Sequence, residues 1–155
     1  MSKVLLVSYR NKKVPPKVKD CVQKIEKAIL PDNLAPNPMD LKINNGTISC
    51  IFNPVDLKQR QGNSLCLGVA ENNWWETSND NKVLEGSYAV FRENEQHIEL
   101  QTDAVASRTI WYFVDDEKIL ASNSQLAIIY YLGDFEFNED VIPWMLSSGT
   151  LGPYL

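Results

Sequence analysis

The sequence has few of the residues on which most metal and nucleophile sites depend. It contains one histidine, His97, and three cysteines without C-x-x-C spacing. A two-histidine metal site or a histidine-centred triad would therefore need a partner chain. Cys21, Cys50 and Cys66 lie among apolar neighbours, and we interpret them as reduced core residues.

Long apolar runs and glycine-rich phosphate loops are also missing. No run is long enough to span a membrane and no signal sequence is present, which predicts a cytoplasmic protein without a membrane partner. Residues 1–30 carry eight lysines and arginines, but the net charge of the whole chain is −5 and no aromatic residues interleave with these cations. A solvated helix face or an acidic partner is favoured over nucleic acid.

Residues 84–132 contain the strongest structural pattern. Apolar residues recur there with period two in four short bursts separated by polar loops, which predicts one consecutive antiparallel meander of half-buried strands from 87 to 121. The apolar stretch 125–132 is closed by Gly133 and predicts a buried helix. Strands followed by a helix indicate an α+β fold.

The N-terminal half adds further elements. Residues 4–9 predict a central strand, and apolar residues at helical spacing over 18–29 predict an amphipathic helix that Pro31 stops. Residues 47–52 and 64–69 predict two strands that flank a polar loop at 59–63. A last helix is predicted to start at 138–140 and to stop at 147–149, and the apolar residues that follow indicate a cut inside a longer protein.

Three segments of the second half together resemble a known family. Residues 103–112, DAVASRTIWY, are similar to the D-x-x-G-x-R-x-L-Y-Y segment of class II glutamine amidotransferase domains, above all the N-terminal domain of asparagine synthetase-like proteins. Residues 84–91 resemble that family's L-D-G-x-F-A-x-x strand, and residues 120–127 resemble its x-A-S-x-x-x-A-L entry to a helix. The resemblance covers roughly the last half of the chain.

The resemblance implies an N-terminal nucleophile (Ntn) hydrolase fold, a four-layer α/β/β/α sandwich with antiparallel sheets. Residues 1–147 would form the glutaminase-like domain, and residues 148–155 would begin the connection to a C-terminal synthetase domain. That missing domain would use ATP and magnesium, and no cofactor is expected in the present one. The implied partners are the synthetase domain or a homo-oligomer, with a glutamine-like small molecule as a further possibility.

The chemistry that the resemblance implies is eroded in this sequence. The family uses an N-terminal cysteine as nucleophile and its own α-amine as base, whereas this chain has Ser2 followed by Lys3 in place of glycine. Residues 47–51 and 68–71 stand nearest to the family's R-L-S-I and N-G-E segments, but lack the arginine and the Asn-Gly pair. We expect a non-catalytic domain with a structural or regulatory role; the alternatives are an active glutaminase that uses Ser2, or a free-standing interaction module.

Two residue pairs remain open to two interpretations. Asp103 matches the acid that would bind the glutamine α-amino group, but Asp103 and Arg108 are equally interpreted as a structural ion pair that pins the turn between them. Trp74 and Trp75 stand in a hydrophilic segment as a candidate interface, although such a tryptophan is more often a lid over the edge of the core.

Overall fold

The computed structural model of the chain describes residues 2–31, 33, 35–55, 58–71, 73–76, 84–94, 96–134, 139, 143, 146 and 147. In these ranges the fold is α+β and consists mostly of strands. The strands are β1 Lys3–Tyr9, β2 Asp40–Asn44, β3 Thr47–Phe52, β4 Lys58–Gln61, β5 Ser64–Ala70, β6 Gly86–Glu93, β7 Ile98–Thr102, β8 Trp111–Val114 and β9 Lys118–Ser122. The helices are α1 Val18–Ile29 and α2 Gln125–Leu132.

The strands form two antiparallel sheets. Sheet A has the order β2-β3-β1-β9-β8, and sheet B has the order β4-β5-β6-β7. β1 lies in the middle of sheet A, where Leu5 pairs with Cys50 of β3 on one side and with Ser122 of β9 on the other. The prediction of a central strand over residues 4–9 is confirmed, and its continuous apolar character follows from burial on both faces.

Alternation along β1 separates two apolar cores. Leu5 and Val7 face α1 and α2, while Val4 and Leu6 face sheet B and pack with Leu67 and other residues of its inner face. Each fully buried aliphatic side chain of this kind stabilises the fold by about 1.5 to 3 kcal/mol. The outer face of sheet B carries a third apolar cluster, made by Cys66, Trp74, Tyr88 and Val90.

These clusters order the layers as helices, sheet A, sheet B and the Trp74 segment. In the described ranges both helices lie on the sheet A side. Neither α1 nor α2 forms the fourth layer of the expected α/β/β/α sandwich.

The prediction of one consecutive antiparallel meander from 87 to 121 is wrong. All four strands exist, but β6 and β7 belong to sheet B, whereas β8 and β9 belong to sheet A. Residues 103–110 carry the chain from one sheet to the other. The alternation of apolar residues shows which side of a strand is buried. Strands of both sheets show the same alternation, so it does not identify the neighbouring strand.

Both predicted helices of the first 133 residues are present, but α2 is not the buried helix that was predicted, because only Ala127 and Ile128 are buried while Leu126 and Tyr130 are 53% and 51% exposed. α1 buries Val18, Val22 and Ile25 and ends before Pro31. α2 ends at Gly133, whose φ of +77° lets its amide donate to the carbonyl of Ile129 at 2.9 Å.

Two strands are additional to the prediction. β4 lies in the predicted polar loop at 59–63, and its sequence KQRQ is too polar to show alternation. β2 is likewise a half-exposed edge strand. The helix predicted near 138–149 falls almost entirely outside the described residues.

Candidate functional site

Ser2 and Asp103 lie at the same end of the two-sheet sandwich. At the other end, Thr47 Oγ1 at the start of β3 donates to Glu93 Oε1 at the end of β6, at 3.0 Å. The last residues of β3 and the first residues of β6 therefore lie together at the end of the sandwich that holds Ser2 and Asp103. Ser2 precedes β1, whose first residue pairs with the last residue of β3, and the amide of Asp103 donates to the carbonyl of Tyr88 near the start of β6. We call this the Ser2 end.

The Ser2 hydroxyl is fully occupied by the backbone. The side chain is buried, its Oγ donates to the carbonyl of Asn53 at 3.0 Å, and the same Oγ accepts the amide of Val55 at 3.0 Å. A hydroxyl nucleophile has to pass its proton to a base. A peptide carbonyl is not a base, so in this arrangement Ser2 anchors the turn that follows β3 and is not activated for attack.

Asn123 fixes the beginning of β1. Its Oδ1 accepts the amide of Val4 at 2.7 Å, and its Nδ2 donates to the carbonyl of Ser2 at 3.3 Å. Ser122 assists, because its Oγ donates to the carbonyl of Val4 and accepts the amide of Ser124 at 2.9 Å. Sequence reasoning did not assign these roles, although the polar residues directly after an apolar strand were the available signal.

The carboxylate of Asp103 is saturated by its own turn and by β6. Oδ1 accepts the amides of Val105 and Ser107, each at 3.1 Å, while Oδ2 accepts the amide of Tyr88 at 3.0 Å and the hydroxyl of Ser107. The Ser107 hydroxyl, followed by the amide bonds, lowers the pKa of Asp103 to about 2. A carboxylate has about four acceptor sites, so these four donors leave none for the amino group of a ligand.

The predicted ion pair between Asp103 and Arg108 is not formed, and this interpretation is corrected. Arg108 Nε is a buried donor without a hydrogen-bond partner among the described residues. It lies over Gly68, where a Cβ would be 2.8 Å from Nε. Local amides and the Ser107 hydroxyl reach the Asp103 carboxylate with less chain to order than a long arginine side chain, and they take its acceptor sites.

Trp74 is a lid and Trp75 is the exposed member of the pair. Trp74 is 2% exposed, covers the outer face of sheet B and donates from Nε1 to Gln59 Oε1 at 2.5 Å. Arg92, also buried, holds the Trp74 carbonyl through Nε. Trp75 is 39% exposed and meets the Trp74 ring edge-on, with the centroids 5.8 Å apart. Only Trp75 remains accessible to a partner.

The thiols are core groups. Cys50 and Cys66 are buried, and burial raises the pKa of Cys50 to about 12 and that of Cys66 to about 11. Such thiols are protonated at neutral pH and are poor nucleophiles. Cys21 is half-buried on α1, and burial raises its pKa as well. Among the residues that the structure describes, no cluster of three or more histidine, cysteine, aspartate or glutamate side chains offers a metal site.

Neither described helix has the length and apolar character needed to cross a membrane.

The chain matches no protein-family model, no curated protein and no solved structure.

Proposed function

We propose that this chain is a degenerate, non-catalytic glutamine amidotransferase-like domain of an asparagine synthetase-like protein, with a structural or regulatory role for a C-terminal synthetase domain. One observation carries the proposal. Ser2 and Asp103, which stand where the family would place its nucleophile and its substrate-binding acid, share one end of the sandwich, yet every polar atom of both side chains is used by the fold.

The topology supports the Ntn-hydrolase part of the proposal. In that fold the nucleophile starts a central strand of one of two stacked antiparallel sheets. Here Ser2 immediately precedes β1, the middle strand of sheet A, and sheet B packs on the face opposite to the helices. Asp103 reaches the same end from sheet B.

The backbone of β5 supports the loss of catalysis. The stretch 68–71 takes the place of the family's Asn-Gly-Glu segment, but it lacks the Asn-Gly pair, and the amide of Glu71 is used in a bond to the carbonyl of Glu85 at 3.0 Å. An amide that is already bonded within the fold does not stabilise a developing oxyanion. Each missing oxyanion contact costs roughly 3 kcal/mol of transition-state stabilisation.

In this proposal the partner of the domain is the synthetase domain, which would bring ATP and magnesium, and the assembly is cytoplasmic. Trp75, the exposed tryptophan on the outer face of sheet B, is the proposed contact residue. A homo-oligomer that uses the same residue is the alternative partner.

A second candidate function is binding of a glutamine-like small molecule without turnover. The observation that favours it is the half-buried side chain of Arg108, which forms no ion pair with a described carboxylate and would gain one if a carboxylate bound beside it. In this version Arg108, and not Asp103, is the group that contacts the ligand.

The test is glutamate release from glutamine, measured after mass spectrometry has established whether Met1 is removed. We expect no release above background from the wild type, from Ser2→Ala or from Ser2→Cys. Release by the wild type that disappears in Ser2→Ala would refute the proposal, and release gained in Ser2→Cys would show that the oxyanion site is intact. Thermal stabilisation by glutamine that is lost in Arg108→Gln would select the binding function.

A further inference from the structure

A cavity of about 310 Å³ opens at the end of the sandwich opposite to the Ser2 end. Its floor is half-buried or buried and consists of Ser8, Tyr9, Ile98 and Ile119, contributed by β1, β7 and β9. Its rim is exposed and consists of Arg10, Lys12, Asn94, Gln96 and His97. We propose that this cavity binds a small phosphorylated molecule, with the phosphate at Arg10 and Lys12 and the organic part over the two isoleucines.

The charge of the cavity supports an anion. Arg10 and Lys12 are cations and Gln96 carries an amide donor, whereas Asn94 Nδ2 and His97 Nε2 are bonded to each other at 3.3 Å. None of the described lining residues is a carboxylate, although the chain as a whole has a net charge of −5. Lining of this kind attracts an anion in spite of the overall charge, because nearby groups dominate the potential in a cleft.

Two carboxylates near the cavity, Asp115 and Glu93, are already engaged elsewhere. Asp115 accepts Lys118 Nζ at 2.7 Å and the amides of Glu117 and Lys118. Glu93 lines a neighbouring cavity on the other side of Asn94, where it accepts the Thr47 hydroxyl and the Asn63 amide. In the part of the chain that the structure describes, neither Arg10 nor Lys12 forms an ion pair with a carboxylate.

Lys12 is held in a conformation that lysine disfavours. Its φ is +57°, its amide donates to the carbonyl of Tyr9 at 3.0 Å, and Gly46 packs so tightly on it that a Cβ at position 46 would be 2.4 Å from Lys12 Cα. Among the described residues, three of the other four non-glycine residues at positive φ are asparagines, which tolerate this region. Backbone strain of this kind is found mainly at functional sites.

Arg10 is positioned by the turn between β8 and β9. Its amide donates to the carbonyl of Glu117 at 2.8 Å, and its Nε donates to the carbonyl of Asp115 at 3.3 Å. These bonds fix the guanidinium at the rim, and its two Nη groups have no partner among the described residues. A guanidinium with two open nitrogens binds phosphate oxygens in a bidentate manner.

The size of the cavity restricts the ligand to a small molecule. Ligand sites range from roughly 300 to 1,000 Å³, and this cavity is at the lower limit. The isoleucine floor adds apolar surface that inorganic phosphate would not use. The fitting class is therefore a phosphate monoester with a compact organic group. The cavity shares no residue with the Ser2 end, so this inference is independent of the proposed function.

Calorimetric titration with phenyl phosphate and with inorganic phosphate, at matched ionic strength, tests the proposal. We expect phenyl phosphate to bind more tightly than inorganic phosphate, and benzoate to bind more weakly than phenyl phosphate. Arg10→Gln and Lys12→Gln are each expected to weaken phenyl phosphate binding by at least about tenfold. The matched control is Lys13→Gln, which removes an exposed neighbouring cation outside the cavity and should leave the affinity unchanged.

Lys12→Gly separates binding from folding. It relieves the positive φ, so its melting temperature without ligand should rise above that of the wild type, while its affinity for phenyl phosphate falls as in Lys12→Gln. The proposal is overturned if neither phosphate compound binds at matched ionic strength, if benzoate binds as tightly as phenyl phosphate, or if Lys13→Gln loses as much affinity as Lys12→Gln.

Discussion

The side chain of Asn123 extends the ladder between β1 and β9 by one rung, because its Oδ1 accepts the amide of Val4 at 2.7 Å where β9 has already ended. The same carboxamide donates to the carbonyl of Ser2. A side chain therefore supplies both halves of a backbone pairing and holds the start of the central strand in place.

Replacing Asn123 with alanine is predicted to destabilise the protein. Val4 N and Ser2 O lose their partners, and an unsatisfied group in such a position costs about 1 to 3 kcal/mol of unfolding free energy. Chemical denaturation followed by fluorescence measures the loss. Asn123→Asp keeps the acceptor for Val4 but places a carboxylate oxygen against the Ser2 carbonyl, so its stability should lie below that of the wild type; a variant as stable as the wild type would contradict the assigned donor role.

Asp103 should make the fold sensitive to acid. Its pKa in the folded state is lowered from 3.8 to about 2, so its stabilising contribution is complete above pH 3.8 and is lost as the pH falls towards 2. The melting temperature of Asp103→Asn should be several degrees below that of the wild type at neutral pH. The difference should shrink as both proteins are moved from pH 5 to pH 3. Asp116→Asn, at an exposed turn position, is the control and should follow the wild type.

Buried Arg92 should show strong coupling to Glu99. Arg92 bonds to Glu99 through Nη1, to Gln101 Oε1 at 2.8 Å and to the Trp74 carbonyl. Arg92→Met is expected to cost about 3 to 5 kcal/mol because it leaves Glu99 partly buried without its cation. The double variant Arg92→Met with Glu99→Met should recover part of that loss. Additive effects of the two single changes in a double-mutant cycle would show that the pair is not coupled.

Gly68 and Gly62 provide a matched pair of glycines. Both have positive φ, but a Cβ at Gly68 would be 2.1 Å from the Ser87 carbonyl oxygen, whereas a Cβ at Gly62 meets nothing within 4 Å. Gly62→Ala should therefore cost about 1 to 2 kcal/mol, from backbone strain alone. Gly68→Ala should cost about 3 kcal/mol or more, since overpacking is added to the strain. If Gly62→Ala and Gly68→Ala lowered the denaturation midpoint by the same amount, overpacking at Gly68 would be excluded.

The buried helices and strands could be predicted from the sequence because buried positions require apolar residues. The helical period of its apolar face identified α1, whereas α2, β1, β3 and β5 were identified as nearly continuous apolar runs. β4 was missed because it is an edge strand whose side chains make polar contacts, such as those of Arg60 with Asp40 and Ser49, so it shows no apolar alternation.

The division of the second half between two sheets was not predictable from periodicity. The Asp103 turn lies in the connection between the two sheets, and its carboxylate accepts three backbone amides and one hydroxyl. Sequence reasoning identified Asp103 as important but gave it the wrong partner, because Arg108 is the obvious opposite charge and amides carry no sequence signal. The bonds of Ser2 Oγ to the carbonyl of Asn53 and the amide of Val55 could not be predicted for the same reason.

The position of β1 between β3 and β9 has a consequence for synthesis of the chain on the ribosome. Leu5 pairs with Cys50 on one side, but its other neighbour, Ser122, is made more than 100 residues later. Until that residue emerges, a nascent chain that has formed the β1–β3 pair exposes an apolar strand with an open edge, which is prone to pairing with other chains. We expect sheet A to close only late in translation, and high yields of the protein to depend on chaperones that cover this edge in the meantime.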